Sequence, residues 1–173
     1  MTLFPYQVDG MKFLAARNRA LLADGMGLGK TPQAIAAANQ VGARDILVIC
    51  PAIARTMWKR EFEVWGNGQV PTVLSYDELV RGWSARSIIE KRQFDLLILD
   101  EAHYLKSRTA KRTKCIYGPY TRGDGLIRQA KRVWLLTGTP APNDVSEIWT
   151  HMRALWPDLL PGDQKHFTFV QRY

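Results

Sequence analysis

Little in this sequence could hold a soft metal ion or a disulfide framework. There are two cysteines, Cys50 and Cys115, far apart, and three histidines, His103, His151 and His166, without metal-ligand spacing. Reduced thiols are expected, and neither a zinc site nor a cystine scaffold. No apolar run approaches the length needed to cross a bilayer. The start, Met1-Thr2-Leu3-Phe4-Pro5, lacks the basic residues and apolar stretch of a secretory signal. A soluble, cytoplasmic chain with no membrane partner is the expectation. Internal repeats and low-complexity tracts are also missing. What remains is an ordinary globular composition: 173 residues, 46% hydrophobic and 23% charged, enough for one domain with a substantial core.

Acidic residues are scarce in one segment. From Lys106 to Arg132 there are nine basic residues and a single acid, Asp124, so this segment carries the whole net charge of +8. The rest of the chain is balanced. A polyanion partner fits that distribution, and so does a solvated Lys/Arg-rich surface.

Short apolar runs without alternation stand at Ala20-Leu21-Leu22, Ile46 to Ile49, Leu96 to Leu99 and Val133 to Leu136, with Val73-Leu74 a weaker fifth. Such runs mark strands buried on both faces of a parallel sheet. Helical stretches fall between them: Tyr6 to Ala16, Lys30 to Val41, Ala54 to Trp65, Asp77 to Trp83, Ser84 to Gln93 and Asp144 to Leu155. Alternation of this kind predicts a doubly wound α/β domain with helices on both faces of a mostly parallel sheet. Gly118 to Gly125 is turn-rich and reads as an exposed loop. Pro161 to Tyr173 reads as a short packing helix or the start of a connection.

The strongest chemical signal is Asp24-Gly25-Met26-Gly27-Leu28-Gly29-Lys30-Thr31, after an apolar strand and opening a helix. Glycines let several backbone N–H groups face one anion, and the helix N-terminus adds its partial positive charge. Lys30 can reach the outer phosphates of ATP, and Thr31 can ligate Mg²⁺. Asp24 stands where the general phosphate-loop pattern has glycine, a relaxation that points toward helicases. The second signal is Asp100-Glu101-Ala102-His103, at the end of a predicted strand. There Asp100 would hold Mg²⁺ and Glu101 would orient and deprotonate the attacking water. His103 could equally be a core histidine. The third is Thr137-Gly138-Thr139-Pro140, again at a strand end, whose hydroxyls could hydrogen-bond the Asp100 and Glu101 carboxylates and report nucleotide state. The fourth is Phe4-Pro5-Tyr6-Gln7, whose Gln amide can both donate to and accept from an adenine edge.

In this order the motifs resemble the first lobe of the Swi/Snf-type ATPases of helicase superfamily two. Phe4 to Gln7 with Gly10 resembles that family's adenine-reading motif, and Asp24 to Thr31 its motif I. Ile49-Cys50-Pro51 with Trp58 and Phe62 resembles motif Ia, and Leu74-Ser75-Tyr76-Asp77 motif Ib. Asp100 to His103, a DEAH box followed by Leu105-Lys106, resembles motif II, and Leu135 to Pro140 motif III. Phe167, Phe169, Arg172 and Tyr173 are similar to the aromatic stretch that closes the lobe. Thr-Gly-Thr-Pro and Met-Gly-Leu-Gly favour this branch over the DEAH-box RNA helicases.

The resemblance implies a RecA-like P-loop lobe over residues 1–173, binding ATP and Mg²⁺ and moving along double-stranded DNA. It assigns Lys30, Asp100 and Glu101 to catalysis, and Gln7 and Asp24 through Thr31 to the nucleotide. Thr31 and Asp100 fall to the metal, and Thr137, Gly138 and Thr139 to coupling. It places Pro51, Arg55, Ser75, Tyr76, Lys106 and Arg108, with Lys111 and Arg112 of the basic segment, on DNA phosphates. Such contacts track a strand without reading sequence. It also implies a DNA-associated location and a second RecA-like lobe as partner, since motifs IV to VI have no counterpart here. The sequence departs from the family at Gly25, where an acidic residue is usual, and in a longer stretch from Tyr117 to Leu126. Two other classes stay open: a nucleotide-gated DNA-binding module without turnover, and a P-loop ATPase acting on RNA or protein.

Overall fold

The computed structural model describes residues 2–81, 89, 92–119, 125–141 and 145–160. Its elements are α1 (Pro5–Ala15), β1 (Arg19–Leu22), α2 (Lys30–Gln40), β2 (Ile46–Cys50), α3 (Arg55–Trp65), β3 (Thr72–Ser75), α4 (Tyr76–Arg81), β4 (Phe94–Asp100), α5 (Lys111–Tyr117), β5 (Ala130–Leu136) and α6 (Trp149–Leu155). All five expected strands form, the weak candidate around Val73 included. They join in one sheet of order β1-β5-β4-β2-β3, and every pairing is parallel.

Apolar residues on successive positions let each strand feed both faces. Ile46, Val48, Leu96, Ile98, Trp134 and Leu136 point to one side, against Leu14 of α1, Ala34, Ala37 and Ala38 of α2, and Trp58 and Phe62 of α3. Leu47, Ile49, Leu97, Leu99, Val133 and Leu135 point to the other, against Leu79, Ile116, Tyr117 and Leu155. Ala34, Ala37 and Ala38 of α2 have no exposed surface, and their small size brings that helix close to the sheet.

Helix bounds follow the sequence reading within a residue or two for α1, α2 and α3. The stretch from Asp144 starts differently: Val145–Ile148 is a 3-10 turn and α6 begins at Trp149. The expected helices Asp77 to Trp83 and Ser84 to Gln93 lie partly outside the described residues, although Ile89 is buried in the core. Most of Gly118 to Gly125, and all of Pro161 to Tyr173 with its closing aromatics, also lie outside.

The amino ends of β2, β4 and β5 are joined through Asp95. Its Oδ2 accepts from the backbone N–H of Arg44 and Asp45 at 3.0 and 3.1 Å, and Lys131 Nζ donates to Oδ1 at 2.8 Å. The Lys131 hydrogen bond, with these backbone donors, holds the Asp95 carboxyl down to about 2. The basic segment is divided between the two edges of the sheet: Lys131 and Arg132 stand near the start of β5 at the amino edge, while Lys106 to Lys114 follow the carboxyl end of β4. Arg132 Nη1 donates to Asn18 Oδ1 at 2.8 Å.

On the second face, His151 of α6 is buried, with Nδ1 2.8 Å from the Tyr117 hydroxyl. Burial lowers its pKa from 6.5 to about 4. The unfolded chain therefore takes up a proton that the folded state refuses. Stability attributable to this residue falls as pH drops from 6.5 toward about 4 and levels off below. The full difference is about 3 kcal/mol. In urea denaturation across this range, His151→Gln is expected to be the less stable chain at neutral pH, and the gap to wild type should close by pH 4.

Candidate functional site

Parallel strands deliver all their carboxyl ends to one edge, where the loop after each strand can meet its neighbours. The glycine loop after β1 curls through two left-handed glycines, Gly27 at φ 77° and Gly29 at φ 69°. A β-carbon on Gly27 would meet open space, whereas one on Gly29 would collide with the Gln7 amide nitrogen. Lys30 Nζ sits inside the loop and donates to the carbonyls of Asp24 and Gly25 at 2.8 and 2.9 Å. Met26 and Leu28 are exposed at its rim.

Two glutamines brace this loop. Gln7 is buried, accepts from the Phe4 N–H at 3.0 Å and donates to the Leu28 carbonyl at 3.2 Å. The residue expected to read adenine thus also ties α1 to the phosphate loop. Gln33, which no motif singles out, is fully buried and donates to Asp24 Oδ2 at 3.0 Å and to the Leu28 carbonyl at 3.2 Å. Its Oε1 fills the space a side chain at Gly10 would need. The sequence signal for Gln33 is its place one turn into the helix that the glycine loop opens.

Asp100 ends β4 and is largely buried. Trp58 Nε1 donates to its Oδ2 at 2.8 Å and Glu101 N to its Oδ1 at 3.0 Å. Burial raises the Asp100 pKa, the Trp58 hydrogen bond opposes that rise, and the Lys30 charge also acts to lower it. Glu101 follows with φ 48°, the sole non-glycine residue with positive φ among those described. A side chain in that region carries backbone strain, a frequent property of functional positions.

The coupling residues differ in detail from expectation. The threonine hydroxyls meet His103, not the Asp100 or Glu101 carboxylates. Thr137 Oγ1 and Thr139 Oγ1 lie 3.2 and 3.4 Å from His103 Nδ1. The same nitrogen is 3.1 Å from Glu101 Oε2, though without hydrogen-bond alignment. His103, which the sequence leaves ambiguous, thus lies between the Glu101 carboxylate and the threonine hydroxyls. The N–H of Thr137 donates to the Leu22 carbonyl at 3.1 Å, and a β-carbon on Gly138 would press on Met26 at 3.0 Å. The third motif thus rests directly on the glycine loop.

The residues expected on DNA phosphates fall on the same edge but in different circumstances. Arg108 and Lys111 are exposed, and Pro51 is partly so. Arg55 pairs with Glu78 at 2.9 Å. Lys106 pairs with Glu147 at 2.9 Å, and Arg112 Nε donates to the Tyr104 carbonyl at 2.7 Å. Ser75 and Tyr76 are both buried with internal partners. Ser75 caps α4: its Oγ accepts from Glu78 N at 3.2 Å while its N–H donates to Glu78 Oε2 at 2.7 Å, a reciprocal capping box. Tyr76 donates through its hydroxyl to the Asp100 carbonyl at 2.7 Å. Neither side chain is turned toward solvent.

The donor set suits a hard cation. Thr31 offers a hydroxyl at the start of α2, and Asp100 keeps a free lone pair on each oxygen beyond its two hydrogen bonds, the oxygen-only ligation that Mg²⁺ prefers.

The family model of the SNF2-related domain matches residues 6–81 and 69–171. A SWI/SNF-related matrix-associated actin-dependent regulator of chromatin subfamily A-like protein 1 of Xenopus tropicalis is 35% identical over 175 residues, 92% of this chain and 18% of that protein. The DNA annealing helicase and endonuclease ZRANB3 of Mus musculus is 34% identical over 194 residues, 98% of this chain and 17% of that protein. The chain thus spans less than a fifth of the length of these curated relatives. Among solved structures, the Sulfolobus solfataricus SWI2/SNF2 ATPase core in complex with dsDNA superposes with a TM-score of 0.80 at 24% identity, covering 100% of this chain and 39% of that one. The Pyrococcus furiosus Hef helicase domain gives 0.63 at 18% identity, covering 87% and 35%. The fold is the RecA-like α/β fold.

Gly29→Ala meets both a left-handed backbone and the Gln7 amide, whereas Gly27→Ala meets the backbone alone. Urea denaturation should show a decrease of about 1 kcal/mol for Gly27→Ala and about 2 kcal/mol or more for Gly29→Ala. Equal decreases would mean that Gln7 yields freely.

Proposed function

The chain belongs to the SNF2-related domain family, and we propose that it is the ATP-binding lobe of an ATP-driven motor that moves along double-stranded DNA. The observation that carries this reading is the convergence of Lys30, Asp100 and the Glu101–His103–Thr137 cluster on one sheet edge, reached from three strands.

In this reading Lys30 exchanges the carbonyls of Asp24 and Gly25 for the outer phosphate oxygens of ATP. The N–H groups of the glycine loop and the first turn of α2 surround the same phosphates. Thr31 and Asp100 hold Mg²⁺, which when bound draws charge from the phosphates. Glu101, presented by its left-handed backbone, orients the attacking water and accepts its proton. His103 carries the state of that carboxylate to Thr137 and Thr139, and Gly138 passes it to Met26 of the loop. Gln7 keeps one amide hydrogen and one lone pair for the adenine edge.

The complete motor requires a second RecA-like lobe with an arginine finger, a contribution of about 10³–10⁵ in rate. The isolated chain is therefore expected to bind ATP in a Lys30-dependent way and to hydrolyse it barely above background. Robust turnover by this chain alone would contradict the two-lobe reading, and loss of binding in Lys30→Ala would support the site.

Duplex DNA lies along the carboxyl edge, touched by Pro51, Arg55, Arg108 and Lys111, with Lys106 and Arg112 released from their internal partners. Replacing Lys106, Arg108, Lys111 and Arg112 by alanine should weaken duplex binding and flatten its salt dependence, by about 0.9 in log–log slope for each phosphate no longer neutralised. Lys131→Ala, at the opposite edge, should change neither. An unchanged slope in the fourfold variant would make this segment a solvated surface. ATPase stimulation of a longer chain by RNA alone would replace DNA as the track.

A further inference from the structure

Trp58 is fully buried in α3, and a buried indole N–H needs an acceptor. A backbone carbonyl would serve. Trp134 uses one, donating to the Arg17 carbonyl at 3.0 Å. Trp58 instead donates to the carboxylate of Asp100 at 2.8 Å. Tyr76, at the start of α4, is buried and stacked on Tyr104 with centroids 5.4 Å apart. Its hydroxyl donates to the backbone carbonyl of the same Asp100 at 2.7 Å. One residue is thus held at its side chain from α3 and at its backbone from α4.

The same two helices are joined at their exposed starts. Arg55 of α3 pairs with Glu78 of α4 at 2.9 Å, and Glu78 closes on Ser75. A closed circuit results, running from Asp100 through Trp58 and α3 to Arg55, across to Glu78, and back through Tyr76. Its inner end is the carboxylate and its outer end faces solvent beside Pro51.

Resting on the reading of Asp100 as the Mg²⁺-holding carboxylate, we infer that Trp58 and Tyr76 are positioning residues for the ATP site, setting Asp100 from the two helices that follow β2 and β3. Trp58 takes one lone pair of Oδ2 and Glu101 N one of Oδ1, which leaves the remaining pairs in a fixed direction. Donors behind a metal-holding group fix its orientation, and removing them typically lowers metal affinity about 10- to 100-fold. Phenylalanine could not do this at either position; at Tyr76 it keeps the ring and loses only the hydroxyl, whereas at Trp58 it is also smaller than the buried indole.

The test uses this chain with N-methylanthraniloyl ATP as fluorescent probe, titrated once in EDTA and once in MgCl₂. Trp58→Phe and Tyr76→Phe should each leave the EDTA affinity nearly unchanged and cut the gain on adding Mg²⁺ by about tenfold. In an Asp100→Asn background, adding Trp58→Phe should change the Mg²⁺ gain no further. Equal losses in EDTA and Mg²⁺ would make these aromatics ordinary core and overturn the inference, as would an undiminished Trp58→Phe effect without the carboxylate. If Trp58→Phe does not fold, Tyr76→Phe, which removes one oxygen atom, decides, and an unchanged Mg²⁺ gain there overturns the inference. A wild-type chain that binds no nucleotide, or binds it without Lys30, sinks the reading of the ATP site instead.

Discussion

A sheet whose strands all run one way can offer chemistry at one edge only. Each strand must be followed by a crossover, and each crossover starts from the same side. Here that constraint collects the glycine loop after β1, Pro51 after β2, the α4 cap after β3, the paired carboxylates after β4 and the threonine turn after β5. These segments are far apart in sequence, and parallel pairing alone brings them together. The constraint depends in turn on apolar strands dense enough to face two cores at once, and Leu96 to Leu99, with no exposed surface, satisfy it most fully.

That is also why so much is legible in the sequence. An uninterrupted apolar run followed by glycines and Lys-Thr, or by Asp-Glu, states both the strand and what its end carries. The groups that hold these motifs in place are harder to read. Trp58 and Asp100 are forty-two positions apart, and their contact depends on β2 and β4 being neighbours, a fact of strand order that no local pattern contains. Tyr76 is hard to read for a related reason: its hydroxyl meets the Asp100 carbonyl twenty-four positions away, a contact set by the sheet order, which places β3 and β4 on either side of β2. His103 is ambiguous because a histidine that only hydrogen-bonds in the core and one set beside the threonine turn share the same local sequence.

Charge is legible in amount and not in place. The segment that carries the whole net charge runs from the carboxyl end of β4 around to the amino start of β5, so its members finish on opposite sides of the sheet. Part of it is consumed by internal partners, Lys106 by Glu147 and Lys131 by Asp95. Arg108 and Lys111, by contrast, are exposed after the carboxyl end of β4.

The Asp95 clamp gives the domain a stiff footing. It fixes β4 against the turn before β2 and against β5 at the edge farthest from the loops. Sliding β5 by one residue would break the Lys131 contact and turn Trp134 and Leu136 into the wrong core. The register of β5 is thus held at its amino end by an ion pair with Asp95 and along its length by apolar residues committed to two separate cores.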